Sequence, residues 1–127
     1  MDVKNKRVVV TGAASGIGKA LCEAFHQAEA QSVIAVDMNL DGAQETADSV
    51  DGIAVQANVG NEKDIIHVIQ KADEHVGGTD IFCSNAGIGG VPGFFEVEAS
   101  DWQNIWDVNV QSHIFAAKHV LPQMIER

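Results

Sequence analysis

The chain has 127 residues, 46% of them hydrophobic and 20% charged, the composition of one globular domain rather than of a disordered or fibrous protein. A chain of this length buries about two thirds of its unfolded surface, so a real core is possible. Its net charge of −10 excludes a nucleic-acid backbone or an anionic membrane surface as the natural partner, because both require a basic face.

Lys4, Lys6 and Arg7 precede the apolar residues Val8 to Val10, but that run ends at Thr11-Gly12, too early for a secretory leader. No segment approaches the roughly 20 apolar residues of a membrane span. A cytoplasmic location is expected. The β-branched run Arg7 to Thr11 reads as a first strand, which breaks into Gly12, Gly16 and Gly18 before a helical pattern from Ile17 to Ala28. Gly12 sits where the chain must turn off the strand. Gly16 has no Cβ to keep a pyrophosphate from the first-turn N–H groups of Ser15 to Gly18, Ile17 included, and Gly18 lets the helix lie close against the strand. Those unpaired donors and the positive end of the helix dipole favour a dianionic ligand. The spacing Gly-x3-Gly-x-Gly therefore points to a dinucleotide reader.

Further strands are expected at Ser32 to Asp37, Gly52 to Ala57 and Asp80 to Ser84. Helices are expected at Asn39 to Val50 and Asn61 to Val76, the latter with Asn61 as N-cap and Ile65, Ile66, Ile69, Ala72 and Val76 at helical spacing. This alternation defines an α/β class with a parallel sheet covered on both faces. A glycine-rich loop, Asn85 to Gly93, leads into an apolar-periodic segment from Asp101 onward that fits one or two helices. Cys22 shares a helical face with Leu21 and Phe25, while Cys83 follows Ile81 and Phe82, so both read as core thiols of a reducing compartment.

Asp37 ends the second strand about 20 residues beyond the glycines, where a carboxylate accepts both ribose hydroxyls of an adenosine and repels a 2′-phosphate. Neither Ser15 nor Met38 supplies a cation for that phosphate. The expected cofactor is NAD rather than NADP; the other reading of Asp37 is a helix cap. At the third strand's end, the Asn58 side-chain oxygen is placed to accept from the adenine amine and the Val59 N–H to donate to a ring nitrogen. Asn58 is equally a plain turn former. The five histidines are scattered over helices without metal-ligand spacing, and no metal is expected.

Thr11-Gly12-Ala13-Ala14-Ser15-Gly16-Ile17-Gly18, Asp37, Asn58-Val59, Ser84-Asn85-Ala86-Gly87 and Trp106-Asp107-Val108-Asn109-Val110 together resemble the short-chain dehydrogenase/reductase family over essentially the whole chain. The resemblance implies a Rossmann-type doubly wound sheet whose first four strands run in the order 3-2-1-4. It implies that Asn85, Ala86 and Gly87 lie along the cofactor riboses, and that Asn109, at a helix irregularity, is the first of a catalytic Asn-Ser-Tyr-Lys set, holding a proton-relay water. Homo-oligomerisation through the last helix is implied as well. Asn58 stands where the family has Asp, and Ser84 where it has a first Asn. The family's Ser and Tyr-x-x-x-Lys lie beyond the matched motifs, and these residues contain no tyrosine. Residues 1–127 are therefore expected to be the NAD-binding half of a truncated oxidoreductase that transfers hydride between NAD and an alcohol or ketone, inactive and unstable or self-associating alone. A non-catalytic NAD-binding module is the alternative, and a methyltransferase-like adenosine binder a third reading.

Overall fold

The computed structural model describes residues 2–90 and 93–127. The strands β1 (Arg7–Thr11), β2 (Ser32–Asp37), β3 (Ile53–Gln56) and β4 (Ile81–Cys83) form one parallel sheet in the order β3-β2-β1-β4. This is the expected order 3-2-1-4. Helices α1 (Gly16–Gln27), α2 (Leu40–Ser49) and α3 (Glu62–Val76) connect the strands.

Alternation along the strands divides the core into two layers, because successive side chains point to opposite faces. Val8, Val10, Val33 and Ala35 pack with Cys22 of α1 and Ala47 of α2. Val9, Ile34 and Val36 face the other way, onto Val68 and Ala72 of α3. Beyond α3, Ile65 and Ile69 join Val108, Ala116 and Val120 in a third cluster. The middle strands are buried on both faces, which is why they read as unbroken apolar runs rather than as polar-apolar alternation.

Cap chemistry sets the helix ends. Asn39 and Asn61 each accept a backbone N–H of the helix that follows, from Gly42 and Lys63 respectively. Asn61 is thus the expected N-cap, and Asn39 is a cap rather than the first residue of α2. Gly77 closes α3 in the left-handed region at φ 78°. Strands β3 and β4 are shorter than expected. Gly52 N–H turns back to Ala47 O instead of entering the sheet, and Asn85 N–H leaves it for the Thr11 hydroxyl.

The last segment comprises α4 (Ala99–Trp106), a π-helical turn (Asp107–Gln111) and α5 (Ser112–Ile125). It starts two residues before the expected Asp101, whose carboxylate accepts the Glu98 N–H ahead of the first turn. Residues 91 and 92 of the expected glycine-rich loop lie outside the described residues. Cys22 is buried as expected, whereas Cys83 is only half-buried because β4 is an edge strand. Burial pushes the Cys22 thiol up to about 11 and also raises that of Cys83.

Candidate functional site

A cavity of about 400 Å³ opens at the carboxyl ends of the strands, where a doubly wound sheet holds its ligands. Gly12, Ser15, Gly16, Ile17 and Gly18 form one wall of this cavity. Asp37, Asn58 and Val59 form the second, and Asn85, Ala86 and Gly87 the third. The structure thus brings together every residue expected to meet a cofactor. Met38, Ala57, Ile88 and Val108 complete the lining.

The glycine loop has the form that its sequence dictates. Gly12 turns off β1 at φ 71°, and a Cβ on Gly18 would collide with the Gly12 carbonyl, so α1 packs directly on the loop. A Cβ on Gly16, by contrast, would meet nothing within 4 Å. Its open side is the cavity. Ser15 is the N-cap of α1, but its side chain caps no N–H, and the first turn carries no acidic residue. The helix N-terminus therefore presents donors and positive dipole to the cavity without competition.

Two threonines hold this loop in place, and neither was expected as a site residue. Thr11, 1% exposed, accepts from Asn85 N–H at 2.9 Å and Ala86 N–H at 3.1 Å and donates to Cys83 O, joining β1 to the turn after β4. The Asn85 amide returns the tie by donating to Thr11 O at 2.9 Å. Thr46 of α2, fully buried, donates to Ala13 O at 2.8 Å. A Thr directly before the first glycine and a buried Thr within an amphipathic helix are the only sequence signals for these roles.

Asp37 is the only charged side chain among the described residues lining the cavity. One carboxylate oxygen accepts from Ala14 N–H and the other from Asn39 N–H, both at 3.0 Å. It therefore braces the glycine loop and the entry to α2, while Asn39 performs the capping. Each oxygen keeps a lone pair for a further donor. At the end of β3, Asn58 Oδ1 accepts from Gly60 N–H at 3.0 Å, so the side chain closes a local turn, the turn-forming role that was one of its two expected readings.

Asn109 lies in the π-helical turn, the form its expected helix irregularity takes. It does not line the cavity. Its amide clamps the Ile88 backbone, Oδ1 accepting from Ile88 N–H and Nδ2 donating to Ile88 O, each at 2.8 Å. The residue thus fixes the turn that carries Ala86, Gly87 and Ile88. Among the described residues no cluster of three or more His, Cys, Asp and Glu could hold a metal ion, and no helix is long and apolar enough to cross a membrane.

Comparison with known proteins agrees with this architecture. Residues 6–127 match the family model described as short chain dehydrogenase. The chain is 33% identical to glucose 1-dehydrogenase 2 of Bacillus subtilis strain 168 across 98% of its own length and 51% of that protein. It is 29% identical to 2-dehydro-3-deoxy-D-gluconate 5-dehydrogenase of Formosa agariphila, across 99% of its length and 50% of that enzyme. The crystal structure of a glucose/ribitol dehydrogenase of the short-chain type from Brucella melitensis superposes with a TM-score of 0.88 at 28% identity, covering 96% of this chain and 53% of that one. The chain belongs to the short-chain dehydrogenase family, and it spans about half the length of the curated relatives it matches.

Proposed function

We propose that this chain is the cofactor-binding half of an oxidoreductase that transfers hydride between NAD and an alcohol or ketone. The observation that carries the reading is one cavity in which an uncapped helix N-terminus, an open glycine and a strand-end carboxylate converge. A dinucleotide fits this donor set. Gly16 and the first turn of α1 hold the pyrophosphate, Asp37 the adenosine ribose hydroxyls, and Asn85 to Gly87 the second ribose. Met38, Ala57, Asn58 and Val59 surround the base.

NAD supplies the hydride acceptor or donor when bound. The residues of this chain bind and orient it. Asn109 acts as a positioning residue through Ile88, and the proton-transfer groups belong to the segment that the relatives carry beyond the matched half. The alcohol or ketone class follows the two curated relatives, both named as dehydrogenases of a sugar or sugar acid. Homo-oligomerisation is part of the same proposal, with exposed Ile114, Leu121 and Ile125 of α5 as the contact face.

The preference for NAD over NADP rests on charge. No cation lines the cavity among the described residues, and a 2′-phosphate at the ribose would approach the Asp37 carboxylate. Calorimetric titration with both nucleotides is expected to give tighter NAD binding, with Asp37→Ala narrowing the gap. Equal affinities in the wild-type protein would overturn the assignment of Asp37.

A further inference from the structure

Among the helices of the described residues, α4 alone buries no residue. A helix of two turns is marginal by itself and owes most of its stability to the packing of an apolar face. Helix α4 has such a face and leaves it open. Trp102 and Trp106 stand one turn apart on the same stripe as Glu98, 56% and 52% exposed. The turn ahead of α4, closed by Glu96 N–H and Val97 N–H on Gly93 O, puts out Phe94 and Phe95. These are the two most exposed large apolar side chains among the described residues, at 83% and 97%. Their rings meet edge to face, with centroids 5.5 Å apart.

The charges around these aromatics have one sign. Over residues 84–117 the sequence has Glu96, Glu98, Asp101 and Asp107 and no Lys or Arg. We propose that the face formed by α4 and the turn before it docks a basic segment of a partner protein, one that carries Lys or Arg side chains beside an apolar stripe. Exposed apolar side chains rimmed by charge are the mark of an interaction surface, and aromatic residues are enriched there. Aromatic faces attract cations, tryptophan most strongly, and the surrounding carboxylates add complementary charge. A second copy of this chain is the poorer occupant, because a two-fold contact would set the same carboxylates against one another. An anionic lipid surface is repelled on the same ground. The proposal is independent of the cofactor reading, since none of these residues lines the cavity.

Trp102 and Trp106 are the only tryptophans of the chain, so intrinsic fluorescence reads this face directly. The test titrates the protein with a synthetic amphipathic helix of Leu and Lys, and with the same peptide carrying Glu in place of Lys. Tryptophan emission and the anisotropy of a dye on the peptide are followed together. The Lys peptide is expected to shift the emission to the blue, to bind about tenfold or more tightly than the Glu peptide, and to weaken as salt is raised. Replacing both tryptophans, Trp102→Ala with Trp106→Ala, should cost about tenfold in affinity by anisotropy. Glu96→Lys, which keeps both reporters, should cost about threefold, while Glu45→Lys makes the same charge change on exposed α2 and should leave the affinity unmoved. Circular dichroism checks that each variant is folded, and the two lysine variants carry the test by themselves if the double variant is not. No binding of the Lys peptide, equal binding of the two peptides, or equal losses in Glu96→Lys and Glu45→Lys overturns the proposal. So does an affinity that a folded double variant retains, or a blue shift that grows with protein concentration without peptide, which would give the face to a second copy.

Discussion

The two ends of the sheet are built from opposite materials. At the carboxyl end, glycines, backbone N–H groups and uncharged threonine and asparagine side chains hold the chain, and Asp37 is the one charge on the cavity wall among the described residues. At the amino end, Arg7 forks onto Asp80 through Nε at 2.7 Å and Nη2 at 2.6 Å, and Arg127 donates to Thr79 O and Gly77 O. Bidentate charged pairs fix geometry strongly, and here Arg7 Nη1 is also taken up by Gly77 O and Asp80 Oδ2 by the Arg7 backbone N–H. The carboxyl end ties its turns to one another through neutral threonine and asparagine groups, and its carboxylates, Asp37 and Asp64, take backbone N–H groups rather than a cationic side chain. One end is closed for stability and the other is held open for a ligand.

Glycine substitution should break this contrast most sharply. Gly18→Ala places a methyl group against the Gly12 carbonyl, and because the neighbour is backbone, the loop itself must move. We expect a loss of about 3 kcal/mol by urea denaturation, together with loss of nucleotide binding. Gly77→Ala, at the other end, meets only the Arg7 guanidinium at 3.6 Å and carries the strain of φ 78°, about 1 kcal/mol. Its nucleotide affinity should be unchanged. A larger penalty at Gly77 than at Gly18 would reverse the assignment of tight packing to the carboxyl end.

The charged end should show its stabilisation in acid. The Arg7 hydrogen bond, with the Arg7 backbone N–H and charge adding to it, holds the Asp80 carboxyl down from 3.8 to about 2. The folded value lies below the unfolded one, so the contribution is complete above pH 4 and is lost as the pH falls through 2. Its size is about 2 kcal/mol. Asp80→Asn should lower stability at neutral pH by about that amount and flatten the acid limb of a stability profile over that interval. An acid limb identical to wild type would show that other carboxylates carry it.

At the open end, Thr11→Val keeps the volume and removes the hydroxyl, leaving Asn85 N–H and Ala86 N–H without their acceptor. We expect a cost of about 1 to 2 kcal/mol in denaturant unfolding and a several-fold fall in NAD affinity, since both residues line the cavity. Unchanged affinity would mean that the turn after β4 holds its shape by other means.

How much of this was legible in the sequence differs between the two ends for the same reason. The β-branched runs, the glycine spacing and Asp37 are local patterns, and they pointed to the parallel α/β class and to two walls of the cavity, whereas the strand order and the Asn85 to Gly87 wall came from the family resemblance. Thr11 reaches Asn85, 74 positions away, and Thr46 reaches Ala13, 33 away, so their roles exist only once the sheet has assembled. The Arg7–Asp80 pair spans 73 positions and has no local signature. The Asn58 contact with Gly60 N–H, which closes a local turn, shows only in three dimensions. Asn109 was found through the family resemblance, not through its own surroundings, since a helix pattern does not reveal a π turn.

Asn109 gives the smallest expected effect on stability. Its amide takes both backbone groups of Ile88, but that contact is exposed, so water replaces the lost bonds in Asn109→Ala. The cost in unfolding free energy should stay below about 1 kcal/mol. Loosening Ile88 also loosens the adjoining Gly87, which lines the cavity. We therefore expect NAD affinity to fall about threefold, or about 0.7 kcal/mol. Asn109→Asp sharpens the result, because a carboxylate still accepts from Ile88 N–H but opposes Ile88 O, and it should bind no better than Asn109→Ala. A stability loss as large as that of Asp80→Asn, with affinity unchanged, would move Asn109 from the ligand-binding end's machinery to that of the scaffold.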